Sequence, residues 1–265
     1  MPIKDIVEIK NPNEMKMKPI KEKMDIFVPG IINENISRRN GAVYVLTGSG
    51  GSGKSSLLLN LMKNKTMYRG KFHNIFYICP ASSFSSVKNH PFENHDKVYH
   101  ELTVGILEGI YQQLNAMKEK VTQKKEKKPI VYEDQESESD EEEEEMQYSM
   151  IIVDDMANEL KNIAINTQLN KMIIKARHIC CSFVFCLQSY FYMPKILRKQ
   201  ITYITIFKPK NIEEWNTIAG ELMNLNKDDA LKIFNYVFNE NYNHIDIDLV
   251  SNIYYKNFNK LVIEN

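Results

Sequence analysis

The chain has 265 residues, 43% of them apolar and 26% charged, enough to bury a substantial core and far from the composition of a fibrous repeat or a wholly disordered chain. Its 34 basic and 34 acidic residues cancel, but ten of the acids fall between Glu133 and Glu145 with no base among them. The remainder carries 34 bases against 24 acids, a net +10, so a polyanionic partner is permitted where overall neutrality would have argued against one.

Residues 1–39 read as a lead-in whose compact apolar piece, Ile26-Phe27-Val28, is closed by Pro29-Gly30, and 40–265 as one domain. The segment AVYVLT at 42–47 is a short β-branched and aromatic run ending in glycines, the pattern of a buried strand. A helix follows over SSLLLNLMKN, then a second buried strand, NIFYIC at 74–79, stopped by Pro80. Helical spacing returns over 101–117. From about 118 to 147 the charged, low-complexity sequence cannot bury enough apolar area to offset its ordering entropy and predicts a disordered insert.

Beyond the insert come a third strand, MIIVDD at 150–155, a helical stretch over 160–178, and two more strands, CSFVFCL at 181–187 and ITYITIF at 201–207. Two helices, over 212–225 and 228–238, and a terminal hairpin complete the chain. Continuous apolar strands alternating with helices predict an α/β fold with a mainly parallel sheet covered on both faces. Cys79, Cys180, Cys181 and Cys186 show neither CxxC nor Cys/His ligand spacing and read as reduced core residues of an intracellular protein. No leader-like apolar segment opens the chain, and no window approaches the roughly 18 apolar residues of a membrane span, so no membrane partner is expected.

The sharpest pattern is Gly48-Ser49-Gly50-Gly51-Ser52-Gly53-Lys54-Ser55, a GxxxxGK[ST] loop between a strand and a helix. Glycines let backbone amides turn toward phosphate oxygens, and the following helix N-terminus favours an anion. Residues 48–54 with Ser55 and Ser56 are thus candidates for ATP phosphates, Lys54 for the β and γ phosphates, and the Ser55 hydroxyl for Mg²⁺. Asp154 and Asp155, directly after four apolar residues, supply the acids such a site needs: Asp154 to hold magnesium through water, Asp155 to take the proton of the attacking water. Gln188, at the tip of the 181–187 strand, is a candidate sensor of that water or of the γ-phosphate, with an ordinary strand cap as the competing reading. Asn226-Lys227-Asp228-Asp229 matches the guanine-reading NKxD, but it falls between two helices, where Asn226 serves as an N-cap, and no DxxG follows Asp154. ATP is therefore expected over GTP.

With the glycine loop, the Asp-Asp pair, Arg177 through Phe191, the segment Pro194-Lys195-Ile196-Leu197-Arg198 and the late Asn257-Phe258, the chain resembles the poxvirus-type genome-packaging ATPases of large cytoplasmic DNA viruses, within the FtsK/HerA superfamily of DNA motors. The likeness extends from about Asn40 onward. It implies the additional-strand (ASCE) class of P-loop NTPase with sheet order 5-1-4-3-2, counting the strands above in chain order. It also implies a ring, homohexameric or otherwise, acting on double-stranded DNA with capsid or portal partners in the host cytoplasm and, in part, with the virion. Arg177 occupies the position of the arginine finger that completes a neighbour's site, with Arg198 as second choice and a helix C-terminal cation as the competing reading. Another pump or helicase of the superfamily, or an ATP-dependent assembly switch that moves no DNA, would share these residues. The acidic tract 133–145 is expected to mimic DNA and restrain the basic body until the motor docks.

Overall fold

The computed structural model describes residues 26–126 and 146–262. In chain order these form β1 (Val43–Thr47), α1 (Lys54–Lys63), β2 (Asn74–Ile78), α2 (Ala81–Ser85), β3 (Val98–Tyr99), α3 (Val104–Glu126), β4 (Ser149–Asp154), α4 (Ile163–Ile174), β5 (Cys181–Leu187), α5 (Lys195–Arg198), β6 (Tyr203–Phe207), α6 (Ile212–Met223), α7 (Lys227–Val237), β7 (His244–Asp248), β8 (Ile253–Lys256) and β9 (Asn259–Leu261). They build one sheet in the order β3-β2-β4-β5-β1-β6-β7-β8-β9. β3 through β6 run parallel, and β7, β8 and β9 add an antiparallel edge. The five strands expected from sequence hold the expected order 5-1-4-3-2 inside this longer sheet, and the terminal hairpin continues it.

Both faces of the central strands are buried, which is why those strands read as unbroken apolar runs. Their residues sort by alternation. Val43, Val45, Ile151, Val153, Phe183 and Phe185 pack beneath α3, α4, α6 and α7. Tyr44, Leu46, Ile152, Val184 and Cys186 face the other way, against Leu58, Leu59, Leu61 and Met62 of α1. All four cysteines are buried thiols outside any disulfide.

Two expectations need correction. Residues 26–39 are not a separate lead-in: Phe27 bridges Arg39, the Val28 amide donates to the Arg38 carbonyl at 2.8 Å, and Val28, Ile31 and Ile36 join the α1 core. A short apolar segment followed by polar residues gives no hint that it will fold back on itself over so few residues. The insert expected to be disordered from about 118 begins as helix, because α3 continues to Glu126. Lys, Glu and Gln are strong helix formers and extend a helix already nucleated upstream, whatever their hydrophobicity. Residues 1–25, and 127–145 with the acidic tract, lie outside the described residues.

Candidate active site

Parallel strands end on one edge, and register fixes what meets there. Thr47 pairs with Leu187, and Cys186 lies between Leu46 and Asp154. The residues that leave β1, β4 and β5 therefore emerge side by side: the Gly48 amide donates to the Leu187 carbonyl, and the Asp155 amide to the Cys186 carbonyl, both at 3.2 Å.

Gly48 turns the chain at φ +154°, where a Cβ would stand 2.6 Å from Phe207 Cβ. Gly53, at φ +102°, heads α1, and no side chain caps that helix, so its first amides are left to an anion. Ser52 Oγ is buried without a protein partner. Lys54 Nζ folds back onto the carbonyls of Gly48 at 2.6 Å and Ser49 at 2.9 Å, holding the loop closed. Burial draws the Lys54 ammonium below its ordinary pKa, against the pull of Asp154 and Asp155. Ser55 is half-buried and Ser56 exposed in the first turn. A glycine loop opening an uncapped helix, an orphan hydroxyl and a lysine fit a polyphosphate.

Asp154, 7% exposed, accepts from the Tyr77 hydroxyl at 2.9 Å. Burial raises its carboxyl above the usual carboxylate range, and the Tyr77 bond works the other way. Asp155 stands at φ +57°, a conformation costing about 1 kcal/mol or more for a non-glycine residue. Both its oxygens are engaged, Oδ1 by Gln188 Nε2 at 2.8 Å and Oδ2 by Ser83 Oγ at 3.1 Å. Ser83, on the one-turn helix after β2, and Tyr77 were not foreseen. The pairing of the second and third strands brings the chain after Pro80 near Asp155, and the one-turn helix there decides that Ser83 is the serine that reaches it.

Gln188 is aimed by the anchoring of the two residues after it. Glu214 of α6, buried, accepts from the Ser189 hydroxyl at 2.8 Å and from the Tyr190 amide, while Tyr190 donates to Glu221 at 2.8 Å. The structure thus brings Lys54, Asp154, Asp155 and Gln188 together. Arg177 is not with them. It precedes β5, exposed at the opposite edge of the sheet, where its backbone packs so closely on Gly41 that a Cβ there would lie 2.5 Å from its nitrogen. Arg198 is tied down: Nε donates to the Met193 carbonyl at 2.8 Å, Nη1 pairs with Glu221 at 3.6 Å, and the guanidinium lies 4.5 Å from the Tyr190 ring centre. Asn226 caps α7, accepting from the Asp229 amide at 2.9 Å.

A glycine loop between β1 and α1, tandem acids after β4, and β5 inserted between those two strands with a glutamine at its tip define a P-loop ATPase of the additional-strand class. The model of the Poxvirus A32 protein family matches residues 34–262, and the chain belongs to that family of genome-packaging ATPases; it is a DNA-packaging ATPase. Among solved structures it is similar to the genome packaging NTPase B204 from Sulfolobus turreted icosahedral virus 2, solved in complex with AMP. The identity there is 16% and the TM-score 0.51, over 84% of this chain and 100% of that one. The DNA-packaging ATPase B204 from Sulfolobus turreted icosahedral virus aligns with a TM-score of 0.50 at 16% identity, over 85% and 99%. Comparison with curated protein sequences gives no match. At these identities the structural likeness speaks for the fold.

Proposed function

We propose that the chain hydrolyses ATP in a ring of identical subunits to drive double-stranded DNA, independently of sequence, into a preformed capsid, with a capsid or portal protein as its docking partner in the host cytoplasm. The observation that carries this reading is the convergence of the Lys54 loop, Asp154, Asp155 and Gln188 on one sheet edge. The glycine loop from Gly48 to Gly53, through the amides its own backbone leaves unused, binds the phosphates together with Lys54, Ser55 and Ser56. Asp155 takes the proton of the water that attacks the γ-phosphorus, and Gln188 orients that water once its amide turns from Asp155. Lys54 neutralises charge that builds on the phosphate oxygens.

Mg²⁺ fits the donors present. Ser55 and Asp154 offer the hard oxygens it prefers. Among the described residues no cluster of three or more acidic, His or Cys side chains could hold a metal by itself, as suits an ion that shares its ligands with substrate phosphates. When bound, Mg²⁺ neutralises β- and γ-phosphate charge.

Arg177 completes a neighbouring subunit's site, so that turnover depends on assembly, a reading supported by its exposure away from its own site. The +10 body supplies phosphate contacts to DNA. Lys208 and Lys210 stand at the ATP-site edge, and Lys195 and Lys199 are exposed around α5. Among the described residues no helix is long and apolar enough to cross a membrane. ATP turnover of the purified chain with Mg²⁺ should rise on adding duplex DNA and vanish with EDTA; turnover indifferent to DNA favours an assembly switch.

A further inference from the structure

Beside the phosphate loop lies a cleft of about 800 Å³, within the size range of small-molecule sites. Its walls are the loop itself at Ser49, Gly51 and Ser52, the turn from β6 to α6 at Phe207–Lys210, and the turn from α7 to β7 at Phe238–Asn243. The cleft adjoins the glycine loop, and the side chain at their junction is Tyr242. A Cβ on Gly53 would stand 3.4 Å from Tyr242 Cδ1 and 3.5 Å from Phe207 Cε1.

Tyr242 is anomalous in two ways at once. Its backbone sits at φ +65°, a strained region for a bulky residue, and the residue is 70% exposed. Strain of this kind persists only where surrounding structure enforces it, and here it does. The next residue, Asn243, is buried, donates from Nδ2 to Asn239 Oδ1 at 2.9 Å and accepts from Asn257 Nδ2 at 2.8 Å. Lys256 Nζ donates to the same Asn239 oxygen at 2.9 Å, and Asn257 Oδ1 accepts from the His244 amide at 2.9 Å. The β8–β9 hairpin therefore fixes the turn from below, and the fold holds a large ring out over the cleft without burying it.

We infer that Tyr242 is the stacking platform for the nucleobase of the bound nucleoside triphosphate, and that the cleft between residues 207–210 and 238–243 is its base and ribose subsite. This rests on the ATP reading of the glycine loop. The phenol presents a flat apolar face next to the loop, and a purine laid on it covers surface that the protein leaves to water. The carboxamide oxygens of Asn239 and Asn243 already accept from Asn243, Lys256 and Asn257, and Tyr242 grips the base by its face.

The test measures binding of ATP and of tripolyphosphate, which has no base, to full-length wild-type chain and to Tyr242→Gly, Tyr242→Phe and Lys54→Ala. Glycine removes the ring and relaxes the strained backbone, so the fold is kept. Tyr242→Gly should weaken ATP roughly 10- to 100-fold, the scale of a base–aromatic stack, with tripolyphosphate within twofold of wild type and Tyr242→Phe close to wild type for both. Unchanged ATP affinity in Tyr242→Gly, alongside its loss in Lys54→Ala, overturns the inference while leaving the glycine-loop reading in place. Equal weakening of ATP and tripolyphosphate also overturns it, making Tyr242 a prop for the loop. If Lys54→Ala leaves both ligands bound, the reading beneath it fails and the subsite falls with it.

Discussion

Gln188 Nε2 donates to Asp155 Oδ1 at 2.8 Å across the gap between the tips of β5 and β4. Two side chains 33 residues apart in sequence are joined because β5 lies between β1 and β4, and the same insertion puts both beside the glycine loop. Asp155→Asn should bind ATP within about twofold of wild type while turnover falls roughly 100-fold or more, the scale of a lost general base. Gln188→Ala should lower turnover about tenfold or more without changing nucleotide affinity. Steady-state hydrolysis and equilibrium ATP binding on the two variants check this, and full turnover in Asp155→Asn removes it from the role of base.

Ser83 and Tyr77 hold the two aspartates from the β2 side. The Ser83 hydroxyl occupies the Asp155 oxygen that Gln188 leaves free, so Ser83→Ala should change turnover and not nucleotide affinity. Tyr77→Phe strips a buried carboxylate of its donor. It should lower stability by about 1–3 kcal/mol and raise the Mg²⁺ concentration needed for half-maximal turnover. Denaturant unfolding and Mg²⁺ titration separate the two effects, and a Tyr77→Phe protein with wild-type values in both contradicts the assignment.

Arg177 and Arg198 make opposite predictions. Arg177 is exposed on the edge away from its own ATP site, and Arg198 lies among Met193, Phe191, Glu221 and the Tyr190 ring. Arg177→Ala should abolish DNA-stimulated turnover while ATP binding stays within about twofold of wild type. Mixing it with a Lys54→Ala chain should restore part of the activity, since each supplies what the other lacks. Arg198→Ala should chiefly lower the melting temperature. Absence of rescue in mixed rings contradicts action in trans.

The thiols give an independent check on the core. Burial pushes the Cys79 thiol up to about 12 and raises Cys181 and Cys186 as well. At pH 8 the Cys79 thiolate is then roughly one part in ten thousand, and all four cysteines are buried. Native protein should resist iodoacetamide at pH 8 and take up four equivalents on denaturation. Rapid native labelling of Cys79, read by peptide mass mapping, contradicts the packing.

Much of this was written in the sequence, and the parts that were not share a physical cause. Strands buried on both faces appear as apolar runs, and a phosphate loop has fixed glycine spacing, so β1, β2, β4, β5, β6 and residues 48–55 could be placed by inspection. Asp154, Asp155 and Gln188 followed as strand tips. Ser83 sits in a one-turn helix, in a serine-rich stretch that reads as loop. Tyr77 looks like one more apolar strand residue until β4 is laid beside it. Val98–Tyr99 is too short to show a period, and the Phe27–Arg39 pairing is a fold-back that local pattern does not encode. Tyr242, in Asn-Tyr-Asn, reads as a turn, because only the cleft around it gives its exposure a meaning.

The central claim is that hydrolysis at the Lys54–Asp155–Gln188 site moves duplex DNA. The most direct measurement is displacement of a triplex-forming oligonucleotide from duplex DNA by the purified chain with ATP and Mg²⁺, with Asp155→Asn beside it. The wild-type chain should strip the third strand at a rate that follows ATP turnover, and Asp155→Asn should bind ATP and DNA yet strip nothing. DNA-stimulated hydrolysis with the triplex left in place would contradict the account.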